Sequence, residues 1–398
     1  MPVDARRAIA DLRELDRLTG GPDGARRVCW TSEWEQARAF LRERIDNIEG
    51  VTADQDEAGN LWATLPGDRP GTVAVGSHID SVPNGGWLDG ALGVMAGLEV
   101  LRAAAGESDR HTLALVDFAD EEGARFGRSL FGSSAVSGTL DPDELGSLTD
   151  ADGRPIGEVL AACGIDLATA PNAARRREGL LAYLELHIEQ GPVLERENVP
   201  AAAVSGTFGV ERLRLDFTGQ ASHAGTTPMD MRRDAGLAAA RTAIAVEQIA
   251  CRHGGVGTTG ALRLEPGIPT AVPGRAELTV DLRHAEAAPL AAMATETRSA
   301  AADSGCAVTE SPIWRIEPIA FDERLVAAAA EEAGTGRVLA SGALHDAAEM
   351  ARHVPAAMVF APSKNGISHA KEEDTAEPDL ERAIDAFGRL ALRVASGG

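Results

Sequence analysis

Lysine is nearly absent. Lys364 and Lys371 are the only two in 398 residues, and arginine supplies the other 36 of the 38 basic side chains. With so many alanines, that imbalance reads as coding bias, and no function follows from it. Cysteine is also scarce: Cys29, Cys163, Cys251 and Cys306 lie far apart and form no CxxC pair. That spacing suggests neither a thiolate zinc knot nor a disulfide framework, and predicts reduced, mostly buried thiols. No segment offers ~18 uninterrupted apolar residues. The N-terminal MPVDARRAIADLREL alternates charged and apolar residues at helical spacing and lacks a signal peptide's continuous apolar run. A cytoplasmic protein with no membrane partner is expected. Basic charge falls short as well: 38 Lys+Arg against 61 Asp+Glu give a formal net charge of -23. Nucleic acid and anionic membrane surfaces are therefore not expected as partners, and a small anionic ligand would need a local basic site.

What is present is a chain with 44% hydrophobic and 25% charged residues, enough to bury a large core in two domains. AVGSHID, from Val73 onward, reads as a buried strand ending in polar residues; a Gly-rich loop and a helical run from Ala91 to Ala105 follow. TLALVDFADEEG repeats the pattern, and LLAYLELHIEQG also ends in polar residues. Apolar strands alternating with helices predict an α/β layered domain whose site residues gather beyond the strand C-termini. From about Gly206 to Trp314 the texture changes: VERLRLDFTG and RAELTVDLRH alternate like half-exposed strands, with helices expected at Met229 to His253 and Glu286 to Asp303. Buried-strand texture resumes at AAMVFAP. The division expected is a catalytic domain in two parts, 1–206 and 318–398, with a small α+β domain, 207–317, inserted between them. SGTFG and IEPIAFD are candidate hinges.

The histidines divide by neighbourhood. His78 in GSHID, Asp80 two residues on and Asp89 in GGWLDG lie at or just past a strand end, where side chains can converge. Asp120-Glu121-Glu122 ends the second strand, His187-Ile188-Glu189-Gln190 the third, and His369 stands in SKNGISHAKEE. Singly, each is an ordinary strand-end polar residue. Together, imidazoles and carboxylates, one able to bridge, are the ligand types that a pair of borderline divalent ions requires. Such a pair polarises a carbonyl and lowers the pKa of a shared water.

GSHIDSVPNGGWLDGALGVMAGLEVL, DEEGARFGRSLFGSSAVSG, LELHIEQGPVLE, GQASHAGTTPMDMRRDA, DLR and SKNGISHA occur in order over nearly the whole chain. Together they resemble the zinc-dependent amidase branch of the aminoacylase/carboxypeptidase-G-like metallohydrolases. That branch holds N-carbamoyl-L-amino-acid hydrolases, β-ureidopropionases, and allantoate and ureidoglycolate amidohydrolases. The resemblance implies a dinuclear-metal, peptidase-like catalytic domain with a mixed sheet, plus an inserted α+β lid and dimerisation domain. It implies hydrolysis of the C–N bond of an N-carbamoyl, ureido or related amide of a small carboxylic acid by a metal-activated water.

By motif, one ion would be held by His78, Asp89 and His187 and a second by Asp89, Glu122 and His369. Zinc is the metal implied, with manganese, cobalt or nickel as substitutes. Glu121 would be the general base and Asp80 the acceptor that orients His78. Histidine at 187, where peptidase relatives usually carry a carboxylate, points to the amidase branch. His223, in ASHAGTTPM, would stabilise the oxyanion in the active site of a partner subunit, making a homodimer. Arg283 and Gln190 would hold the substrate carboxylate, the arginine as a bidentate fork.

Two departures stand out. The family's SGAGHDA reads SGALHDA here, with Leu344 for glycine beside His345. Its substrate-contacting asparagine is replaced by Thr270, which has less reach and no amide pair. The competing reading on the same fold is an aminoacylase or dipeptidase. A serine hydrolase built on Gly366-Ile367-Ser368-His369-Ala370 lacks the final glycine of a nucleophile elbow, and a non-catalytic protein would be expected to have lost ligands.

Overall fold

A computed structural model describes residues 2–398. The chain divides into two compact units: one takes the chain up to Ser205 and again from Ala320, the other is Gly206–Ile319. These bounds compare with the 207–317 read from texture.

The larger unit is built on a nine-stranded sheet. It includes β1 (Thr52–Gln55), β2 (Leu61–Leu65), β3 (Arg69–His78), β4 (His111–Phe118), β5 (Leu180–Ile188), β6 (Ala202–Thr207), β7 (Val338–Ser341) and β8 (Ala356–Ala361). In space the order runs β6, β8, β5, β3, β4, β2, β1, with β7 beside β6. The four central strands, β8, β5, β3 and β4, are parallel; β6 joins β8, and β2 joins β4, antiparallel. A parallel sheet is covered on both faces, so its strands are apolar without alternation; Val73, Val75, Leu113, Leu115, Leu184 and Val359 are all buried. Because the four run the same way, their C-terminal ends share one edge of the sheet. His78 is paired with Phe118 there, and His187 with Phe360.

Helix α1 (Ala5–Thr19), α2 (Ala91–Ala104) and α3 (Glu377–Ala395) pack on one another. Every residue of α2 except Arg102 is buried, the pattern of an interior helix. Its one carboxylate, Glu99, is fully buried but satisfied: it accepts the Asp4 N–H at 2.9 Å and Arg7 nitrogens at 2.6 and 2.9 Å. That contact ties the start of α1 to the interior and removes the penalty of an unpaired buried charge. The entry to α2 matters for the site. Gly90 has φ 63°, and a Cβ there would land on the His78 imidazole, so only glycine lets the chain pass that ring.

In the smaller unit four antiparallel strands lie in the order Val256–Glu265, Arg275–His284, Gly209–Thr218, Ala307–Ile316. Ala276, Leu278, Val280 and Leu282 alternate inward and pack with residues of the helices Ala235–His253 and Ala287–Ala302. The first of these helices starts six residues later than the expected Met229. Pro228 leads into a separate 3-10 turn at Met229–Met231, and the Asp234 carboxylate caps the helix proper by accepting the Leu237 N–H at 3.0 Å. Among the described residues no helix is long and apolar enough to cross a membrane.

Candidate metal centre

The shared edge of the parallel strands gathers the polar strand ends around one carboxylate, Asp89. Its Oδ1 lies 3.1 Å from His187 Nε2 and 3.8 Å from His78 Nε2, while Oδ2 lies 3.3 Å from His369 Nε2. His369 Nε2 in turn faces Glu122 Oε2 at 3.5 Å. Two three-residue groups result, His78/Asp89/His187 and Asp89/Glu122/His369, each with its ligand atoms within 4.8 Å of one another. Imidazole nitrogens with carboxylate oxygens form the donor set of borderline divalent ions.

Ring orientation fits the same use. His78 Nδ1 is 3.1 Å from the Asp80 carbonyl oxygen and His187 Nδ1 is 2.9 Å from that of Ile188. A carbonyl only accepts, so each Nδ1 carries a hydrogen, and Nε2 is the nitrogen that faces Asp89, available to a metal once it has given up its own proton. For His78 the nearest acceptor is thus the Asp80 carbonyl; the carboxylate expected to orient the ring stands at 3.6 Å. That carboxylate also accepts the Glu121 and Glu122 N–H groups, at 3.3 Å each, and so fixes the loop that carries both glutamates. Behind it, buried Asp117 accepts the Ile79 N–H at 2.8 Å and is paired with Arg38 at 2.8 Å.

Charge is crowded here. Burial pushes the Glu121 carboxyl well above the usual carboxylate range, with His78, 3.7 Å away, opposing it. Burial and the neighbouring Asp89 raise Glu122 to about 7. Contact with Asp89 lifts His369 to about 9 against its partial burial. Burial disfavours the charged form of Asp89, yet His187 and His369 outweigh it and hold the group well below its ordinary value. His345 behaves oppositely: burial, reinforced by the adjacent His187, keeps it neutral.

His345 packs its ring 4.5 Å from that of His187 and bonds Ser341 Oγ through Nε2 at 2.8 Å. A third group, Glu185/His187/His345, likewise has its ligand atoms within 4.8 Å of one another. Glu185, however, already accepts from Ser77 Oγ at 2.7 Å, the Ala347 N–H at 2.9 Å and the Tyr183 hydroxyl at 3.3 Å, so it serves as a hydrogen-bond hub behind His187. Gln190, at φ 58°, turns its amide into the cluster, and Nε2 donates to Asp89 Oδ2 at 2.9 Å.

The remaining expected site residues, His223, Thr270 and Arg283, belong to the smaller unit, so the cluster around Asp89 is assembled without them. There the two-residue strand Ser222–His223 pairs with Ala271–Val272, and the Ala224 N–H donates to the Thr270 carbonyl at 2.9 Å. His223 and Thr270, 47 positions apart, are thereby neighbours, both exposed. Arg283 Nε donates to Asp281 Oδ1 at 2.7 Å.

Three contributors escaped the sequence reading. Glu185 had a signal, as the one charge inside an otherwise apolar buried strand. Ser368 and Glu373 had none: the first looked like a failed nucleophile elbow, and the second stood without a role at the end of SKNGISHAKEE.

The chain matches the model of peptidase family M20/M25/M40 over residues 74–393. It is 36% identical to an N-carbamoyl-L-amino acid amidohydrolase of Geobacillus stearothermophilus, covering 99% of this chain and 100% of the relative. It is 35% identical to the allantoate amidohydrolase of Escherichia coli, covering 94% and 93%. The solved structure of a hydantoinase/carbamoylase-family amidase from Burkholderia multivorans superposes with a TM-score of 0.88 at 34% identity, covering 99% of this chain and 98% of that one. With the histidine and carboxylate cluster at the strand ends, these likenesses establish that the chain belongs to peptidase family M20/M25/M40.

Proposed function

We propose that this protein hydrolyses the C–N bond of an N-carbamoyl, ureido or related amide of a small carboxylic acid, using two divalent ions. One ion would be held by His78, Asp89 and His187, the other by Asp89, Glu122 and His369. The observation that carries the reading is the division of Asp89, whose Oδ1 faces His78 and His187 while Oδ2 faces His369. The family is metal-dependent, and this donor set suits zinc, with manganese, cobalt or nickel as substitutes. Such ions supply the positive charge that polarises a carbonyl and makes water acidic. The names of the relatives, N-carbamoyl-L-amino acid and allantoate amidohydrolases, support the substrate class.

The chain's own residues do the rest. Glu121, buried and adjoining His78, takes a proton on its carboxylate from the attacking water and returns it to the leaving nitrogen. Burial raises its pKa above the ordinary carboxylate range, the direction that favours returning the proton once it has been taken. Asp80 keeps Glu121 and Glu122 in place through their N–H groups. Arg283 and Gln190 take the substrate carboxylate, with Thr270 and His345 as further contacts. His223 stabilises the developing oxyanion in the site of a second copy, so the working form is a homodimer.

The test combines chelation with a panel of N-carbamoyl, N-formyl and N-acetyl amino acids, allantoate and ureidoglycolate. Turnover of the ureido compounds that disappears on chelation and returns with zinc or manganese is expected. Turnover confined to N-acetyl amino acids or dipeptides would replace this reading with an aminoacylase. Undiminished turnover by protein stripped of metal would sink it.

A further inference from the structure

Asp89 has to present two oxygens in two directions, and the loop that carries it is short of regular structure. Residues 79–90 run from the end of β3 to the start of α2. Inside this loop the Leu88 and Asp89 N–H groups are buried and have the same partner. Both donate to Glu373 Oε1, at 3.0 Å each. Glu373 comes from the other side of the cluster, four residues beyond His369, and is 2% exposed. Its second oxygen, Oε2, lies 3.1 Å from Ser368 Oγ, which lies 2.9 Å from Asp89 Oδ2. Gln190 Nε2 donates to the same hydroxyl at 3.1 Å. A serine hydroxyl has one hydrogen, so it serves Asp89 or Glu373 at a given moment, with the Gln190 amide filling its acceptor side.

A separate observation agrees. Gly86 needs no special backbone angle, yet a Cβ there would land on the Glu373 carboxyl carbon and Oε1. The loop passes close enough to seat that carboxyl group, and any larger residue would expel it. Fully buried Arg27, bonded through Nε to the Ile79 carbonyl at 2.8 Å, supplies positive charge to Glu373, Asp80 and Asp89 together.

We propose that Glu373 is a positioning residue: it clasps the backbone of the Asp89 loop so that the Asp89 carboxylate is held, before any ion arrives, in the orientation that divides it between the two half-sites. The segment that brings His369 thus also fixes Asp89. Neither half-site is preorganised without it. This inference rests on the two-ion reading, and its chemistry is that of an outer contact which orients a ligand carboxylate. Glu373 touches no ligand directly except through the Asp89 backbone and Ser368. The decisive property is acceptance by Oε1, which glutamine retains.

The experiment measures Zn2+ affinity by competition with a chelating indicator, and bound zinc per chain, for the whole protein and its Glu373→Ala, Glu373→Gln and Gly86→Ala variants. Folding of each is checked by circular dichroism. Glu373→Ala should bind Zn2+ ~10–100-fold more weakly, as outer-contact losses do. Glu373→Gln should stay within roughly threefold of the parent, because the acceptor for both N–H groups is kept. A merely structural carboxylate would lower the melting temperature and leave the affinity of folded protein unchanged. Unchanged Zn2+ affinity in Glu373→Ala overturns the proposal, and so does a Glu373→Gln variant as weak as the alanine. Should Glu373→Ala fail to fold, Gly86→Ala decides: weaker binding supports the clasp, parental affinity refutes it. If the parent protein binds no zinc at all, the two-ion reading has failed, an outcome distinct from any of these.

Discussion

Loading a divalent ion into the metal-free protein at pH 7 should release protons, and the number follows from the crowding around Asp89. A ligand nitrogen or oxygen binds metal only without its proton, so protons and metal compete for the same atoms. His369, lifted to about 9 by Asp89, is ~99% protonated at pH 7, and Glu122, raised to about 7 by burial and by Asp89, is about half protonated. These two alone give ~1.5 protons per fully loaded chain. His78 and His187, both raised by nearby carboxylates against the effect of burial, add to that number. The sign is fixed: apparent affinity rises with pH, because protonation weakens binding. His369 contributes ~tenfold per pH unit up to about 9, and Glu122 adds a further dependence that fades above about 7. Isothermal titration calorimetry at pH 7 in buffers of different ionisation enthalpy reads the proton count as the slope of observed against buffer enthalpy. Release of fewer than ~0.5 proton, or an affinity flat between pH 6 and 8, would refute the charge reasoning and with it the placement of His369 and Glu122 as ligands.

Three further outcomes are expected. Glu121→Gln should lower kcat by ~10²–10⁴ while leaving zinc content at the parental level, since Glu121 belongs to neither ligand group; substantial residual turnover would assign the base elsewhere. Arg283→Lys should raise KM strongly through loss of the bidentate fork; an unchanged KM would show that the carboxylate is bound elsewhere or that the substrate has none, and wider activity of Thr270→Asn toward carbamoyl amino acids would show that Thr270 tunes specificity. Mixing Glu121→Gln with His223→Ala protein should restore up to about a quarter to a half of parental activity after subunit exchange, because a mixed dimer has one site with both residues intact. Inactive heterodimers, or an active monomer, would remove His223 from the partner's site.

Much of the site was legible because its residues sit at the ends of apolar strands. A polar residue that ends a buried parallel strand has one edge of the sheet to go to, so GSHID, FADEEG and LELHIEQG could each be placed before any coordinates. The altered texture between Gly206 and Trp314 likewise marked the smaller unit, because a sheet covered on one face alternates and a sheet covered on both does not. Helix starts were harder. The run from Met229 has helical composition, but the Asp234 cap sets the first turn, and a cap competes with only a few neighbouring alternatives that composition does not rank.

The amino-acid sequence alone thus determined the residue types at the strand ends, the division into two textures and the family motifs, since these depend on local pattern and order along the chain. The tertiary structure decided which atoms meet. That Asp80 presents its carbonyl to His78 and its carboxylate to the Glu121–Glu122 backbone is a matter of about half an ångström, 3.1 against 3.6 Å, which no spacing in sequence encodes. That Glu373 is buried against Leu88 and Asp89, 285 and 284 positions away, depends on how two loops at one sheet edge fold over each other. A glutamate in a charged run is solvated unless distant backbone N–H groups need an acceptor, and only the packed chain brings that need to it.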